Sequence, residues 1–164
     1  MGKEQQPFEF SELVELYCSN VDIVKSIETR WRAEIGELIK RLRTQLSKYD
    51  SDWYIVFANT YATIRKKIWG RESALSYEIW YDPERIGKSR LQYVLCVRDK
   101  QQREKICESL NDKIAEAFSS IVDSNNSYVT KIDIEVDNKD YEGAIIKAAE
   151  KCMAFAPELD PYVI

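Results

Sequence analysis

Histidine is absent from all 164 residues of the chain. Ser-His and Cys-His nucleophile systems, and zinc sites built on imidazole, are therefore excluded. Glycine is scarce, with only Gly2, Gly36, Gly70, Gly87 and Gly143. A dinucleotide fingerprint or a phosphate loop needs clustered glycines, so that backbone N–H groups can approach the phosphates. Gly87-Lys88-Ser89 has the form of such a loop's end, but Asp82 stands where its first glycine belongs. No apolar run approaches the roughly 18–20 residues needed to cross a bilayer. The start, MGKEQQPFEF, lacks the apolar centre of a signal peptide. The expectation is a cytoplasmic protein. The four cysteines (Cys18, Cys96, Cys107 and Cys152) show no paired spacing. That suits reduced structural thiols rather than a disulfide frame or a metal site.

What the chain does have is a stretch of strand-like alternation between Ala74 and Arg98. Leu75, Tyr77, Ile79 and Tyr81 alternate with Ser76, Glu78 and Trp80. Leu91, Tyr93, Leu95 and Val97 alternate with Gln92, Val94, Cys96 and Arg98. A two-residue period of aromatic and branched side chains predicts two half-buried strands. Asp82, Pro83, Gly87, Lys88 and Ser89 between them predict a turn. The rest of the chain is expected to be laid against this hairpin.

Residues 1–20 read as an N-terminal segment with one short helix after Ser11. Residues 21–48 read as a long helix, with Val24, Ile27, Trp31, Ile35, Leu38, Leu42 and Leu46 on one apolar stripe. Residues 53–98 hold the strands and the hairpin, and pattern alone leaves open whether 53–69 is one bent strand or two. A helix over 99–122 starts at Asp99, with Gln102 completing a capping box. A strand over 128–136 and a helix over 140–154 follow, and the tail is expected to dock on the body. The predicted fold is a single α+β domain, with a mostly antiparallel sheet of about four strands and three main helices packed on it.

Charge is unevenly spread. Residues 25–105 carry eighteen Lys and Arg against eleven acids, while 106–164 carry five Lys against twelve acids. Arg65, Lys66, Lys67, Arg71, Lys88 and Arg90 are the candidate polyanion-binding residues, with Trp69 and Trp80 nearby for stacking on bases. A wet strand face over a tryptophan core explains the same residues without a ligand. A helix over 21–48 would be about 40 Å long at 1.5 Å per residue, longer than such strands. Part of its stripe then lacks an intrachain partner. Ile35, Leu38, Leu42 and Leu46 are the candidate self-association residues, and a homodimer is favoured over a helix bent near Gly36.

The predicted order of helix, strands, helix and strand is similar to the core of PD-(D/E)xK nucleases, which need an ordered acid and acid-x-Lys to hold Mg²⁺. Here Val97-Arg98-Asp99-Lys100 lacks the spacer residue, and Asp137-Asn138-Lys139 follows the wrong strand. An active nuclease of this kind requires Asp82 or Glu84 to meet Asp99 or Asp137. A second likeness covers roughly residues 20–164. The aromatic hairpin around Tyr77, Trp80 and Tyr93, the helix REKICESLNDKI and the ending KCMAFAPELDPYV resemble a region of some bacterial and phage PD-(D/E)xK-type proteins. That region is the helix-plus-antiparallel-sheet part C-terminal to their catalytic domain. The resemblance implies an accessory or recognition module in a microbial or phage setting, with a phage or bacterial defence context among those it implies, and it transfers no catalytic residue. The leading expectation is a non-enzymatic binding protein with a protein partner. A nucleic-acid-binding module and a divergent metal-dependent nuclease are the alternatives. No catalytic, cofactor or metal residue is assigned.

Overall fold

The computed structural model describes residues 11–70 and 75–163. The described residues fall into two compact units, divided between Glu37 and Leu38. Helix α1 (Glu12–Ser19) and the first part of α2 (Val21–Leu46) belong to the first unit. Asn20 separates the two helices, and its side-chain amide donates back to the Leu16 carbonyl at 2.8 Å instead of capping α2. Helix α1 buries none of its residues. Within α2 the Arg30–Glu34 pair, one turn apart at 2.8 Å, is exposed and adds little to stability.

The second unit is an α+β fold around one antiparallel sheet of five strands, in chain order from edge to edge. These are β1 (Trp53–Phe57), β2 (Tyr61–Lys66), β3 (Leu75–Trp80), β4 (Arg90–Val97) and β5 (Tyr128–Glu135). Five strands replace the expected four, because the stretch from Trp53 folds back on itself. Ala58 N–H bonds to the Tyr61 carbonyl at 2.8 Å and closes a tight β1–β2 turn. The Tyr81 hydroxyl lies 2.7 Å and 2.9 Å from the Ala58 and Tyr61 carbonyls and pins that turn from below.

The polar stretch from Asp82 to Ser89 holds a short helix, α3 (Pro83–Gly87), where a plain turn is predicted. Pro83 suits the first helical position, and the Asp82 carboxylate accepts from the N–H groups of Glu84 and Arg85. Helices α4 (Lys100–Phe118) and α5 (Tyr141–Leu159) complete the unit. Asp99 caps α4 through a 2.7 Å bond from Gln102 N–H. The Gln102 side chain does not return the bond as a capping box would; it donates to the Tyr162 carbonyl at 2.7 Å and holds the tail.

Strand register sorts the side chains onto two faces, because successive residues point opposite ways. Ile64, Tyr77, Leu95 and Thr130 form one row across the sheet. This is the core face. Phe118 of α4 packs on Tyr77 and Tyr93, with ring centres 6.2 Å and 5.7 Å apart, and Phe155 of α5 packs edge-on against Phe118 at 5.0 Å. A register shift between Leu95 and Cys96 lets two residues of β5, Tyr128 and Val129, span one step of β4. Among the described residues, no helix is long and apolar enough to cross a membrane.

Candidate functional site

The structure brings three of the six candidate cations together. Arg65 and Lys66 end β2, and Lys67 opens the 3₁₀ turn Lys67–Trp69. With Tyr54 and Gly70 they line a cavity of about 250 Å³. Gly70 turns the chain there at a φ of 79°, a conformation that favours glycine. Tyr54 and Arg65 are cross-strand partners, and the guanidinium stands 5.1 Å from the ring centre. The Lys66 ammonium pairs with Asp160. The Lys67 ammonium donates to the Asp50 carbonyl.

Lys88 and Arg90 lie at the other end of the sheet. Leu75 pairs with Val97 at the Arg65 end, whereas Trp80 pairs with Gln92 at the Arg90 end. Lys88 holds Glu84 at 2.7 Å, and Arg90 approaches Glu135 at 3.5 Å. Arg71 lies outside the described residues. The six cations are thus not one patch.

The candidate self-association residues sit deeper than their sequence pattern suggests. Ile35, Leu42 and Leu46 are buried, and Leu38 is half-buried. Of the exposed large apolar side chains, Leu13, Val14, Leu16, Tyr17, Ile23 and Ile27 lie earlier in the chain, while Val56, Ile68 and Ile121 stand singly in the second unit.

A second cluster was not legible as a site in the sequence. It lies on the sheet face opposite Phe118, where register aligns Tyr61 with Trp80 and Gln92, and Thr63 with Glu78 and Val94. Tyr61 and Trp80 are stacked, with ring centres 4.9 Å apart and planes 24° from parallel. Trp80 Nε1 donates to the Glu78 carboxylate at 3.1 Å, and Arg98 approaches the same carboxylate at 3.7 Å. Glu78 is only 3% exposed. Burial raises its carboxyl above the usual carboxylate range, with the Trp80 bond and the Arg98 charge opposing the rise. Beside it, burial pushes the Cys96 thiol up as well. Tyr128 lies opposite Cys96 on this face, with the Lys131 ammonium 5.6 Å from its ring centre. Alternation in the sequence predicts a wet face here; only the register shows which aromatics become neighbours.

Asp99 stands apart from the other carboxylates a nuclease would need. Asp82 caps α3 at one end of β4, and Asp99 caps α4 at the other. The eight residues of β4 keep them apart, by about 26 Å at ~3.3 Å per residue. Asp137 follows β5 at the Asp82 end, where Val136 N–H bonds to the Ser89 carbonyl. Among the described residues, no group of three or more Cys, Asp or Glu is arranged to hold a metal ion. A groove of about 540 Å³ runs between edge strand β5 and α5, floored by Ile132, Ile134 and Ala148 and rimmed by Lys147, Lys151 and Asp137.

The fold and these sites define an α+β protein with a five-stranded antiparallel sheet. No family model, curated protein or solved structure matches the chain.

Proposed function

We propose that the chain is a non-enzymatic interaction protein whose partner is another protein, held through the apolar surface of α1 and the start of α2. The observation that carries this reading is the exposure of large apolar side chains on the first unit. Leu13 is 75% exposed and Ile27 is 64% exposed, with Leu16, Tyr17 and Ile23 also in solvent. Within each helix these residues recur at spacings of three or four, so each helix presents one apolar side. Helices that present such a side to water ordinarily lay it into a groove or against another helix. The acids Glu12, Glu15 and Asp22 at the helix starts add a negative rim suited to a basic partner surface.

The test replaces Ile23 and Ile27 with Glu together, which leaves buried residues untouched. Wild type is expected to retain a partner in a pull-down from a native lysate, and the double variant to lose it at unchanged far-ultraviolet circular dichroism. Sedimentation separates a second copy of the chain from a foreign partner. Identical captured proteins and identical sedimentation for both chains would refute the reading.

A further inference from the structure

The sheet face opposite Phe118 carries aromatic rings and cations in a repeated pairing. Tyr54 has the Arg65 guanidinium 5.1 Å from its ring centre. Trp80, stacked on Tyr61, has Arg85 at 5.9 Å. Tyr128 has Lys131 at 5.6 Å. The three sets occupy β1–β2, β2–β3 and β5, and so span the sheet from edge to edge. All these rings are half-buried, leaving part of each to solvent.

Charge on this face favours an anion. The Arg98 side chain is 72% exposed, and Lys131 is exposed. The carboxylate between the aromatic sets, Glu78, is covered by its neighbours; of the exposed acids on β5, Asp133 accepts from Gln92 at 2.9 Å and Glu135 faces Arg90 at 3.5 Å. At the β2 end the face runs into the cavity of about 250 Å³ lined by Arg65, Lys66 and Lys67, which has room for a phosphate group. Rings separated by cations suit a polymer that alternates flat bases with phosphates. A duplex keeps its bases stacked inside and offers no flat surface to these rings, so the ligand must be single-stranded.

We infer that this sheet face binds single-stranded nucleic acid, with bases on Tyr54, the Tyr61–Trp80 pair and Tyr128, and phosphates on Arg65, Arg98 and Lys131. This site is separate from the apolar surface of α1 and α2, and the two readings fail independently.

The experiment is fluorescence anisotropy of the full chain with a labelled fifteen-nucleotide oligothymidylate, and with a duplex of the same length, at low and moderate salt. The single strand is expected to bind more tightly than the duplex. Trp80→Ala should weaken binding at least about fivefold, the low end of stacking on one aromatic ring, while Trp80→Phe keeps most of the affinity. Arg98→Gln and Lys131→Gln alter exposed side chains and leave folding intact. Each should lower the slope of log affinity against log salt by about 0.7. The Ile23→Glu/Ile27→Glu chain should bind the strand like wild type. No anisotropy change at low salt overturns the inference. So does a duplex bound as well as the single strand, or an unchanged salt slope in both charge variants.

Discussion

Asp160 accepts a hydrogen bond from the indole Nε1 of Trp69 at 2.8 Å, across ninety-one residues of sequence. The second oxygen of the same carboxylate pairs with Lys66. One side chain after α5 thus fastens the end of β2 and the turn that follows it. Trp69 is itself buried against Trp53 and Tyr77. Asp160→Ala leaves a buried indole N–H without its acceptor, a loss of about 1–3 kcal/mol. The expected result is a lower urea midpoint with an unchanged slope, together with altered tryptophan fluorescence.

Glu78 gives a pH signature. Its folded-state carboxyl titrates above the ordinary value, chiefly through burial. An acid whose pKa rises on folding stabilises the protein fully below its unfolded pKa and loses that contribution as pH rises through the folded one. Glu78→Gln removes this titration. The variant should therefore gain stability relative to wild type between about pH 4 and neutrality, measured by urea unfolding at several pH values. A relative gain on acidification would contradict the burial of this carboxylate.

Arg103 is buried, and its guanidinium donates to the carbonyls of Val97, Ser124 and, at 3.3 Å, Arg98. It ties the end of β4 to the loop before β5. Arg103→Lys cannot reproduce the fork, because a single ammonium cannot meet carbonyls in those directions. Both Arg103→Lys and Arg103→Ala should cost about 2–4 kcal/mol. A lysine variant as stable as wild type would refute the role given to the fork.

Leu42 and Ile27 share one helix and one apolar stripe but differ in burial, at 0% and 64% exposed. Leu42→Ala should cost about 2–5 kcal/mol by opening a cavity, and Ile27→Ala no more than about 0.5 kcal/mol. Leu42→Glu would consequently unfold the chain rather than report on association. Thermal melts of the two alanine variants decide the contrast.

The thiols provide a count. Cys18 is exposed, whereas Cys96, Cys107 and Cys152 are buried, and burial raises the pKa of each buried thiol. A thiol reagent should label one cysteine rapidly in the native protein and all four after denaturation.

The alternation of Leu75–Trp80 and Leu91–Val97 by itself determined two strands, because a period of two requires a pleated surface with one dry side. Asp99 and Asp140 likewise marked their helix starts, since a cap is a contact between residues three apart. The stretch from Trp53 to Trp69 was undecided for a local reason. Its turn is Ala58-Asn59-Thr60, which contains neither glycine nor proline, and it is pinned by the hydroxyl of Tyr81, just after β3. The fate of the α2 stripe was not local either. Ile27 and Leu42 carry the same pattern, and only tertiary packing covers one and leaves the other wet. The candidate sites follow the same rule. Arg65, Lys66 and Lys67 adjoin in sequence and share a cavity, but Lys88 and Arg90 were carried to the far end by the antiparallel turn. The Tyr61–Trp80 stack and the cover over Glu78 depend on strand register, which pairs Tyr61 with Trp80 and sets Glu78 between Thr63 and Val94, residues far apart in the sequence. No local signal encodes that pairing, so the sequence determined the strands and the tertiary structure alone decided the site.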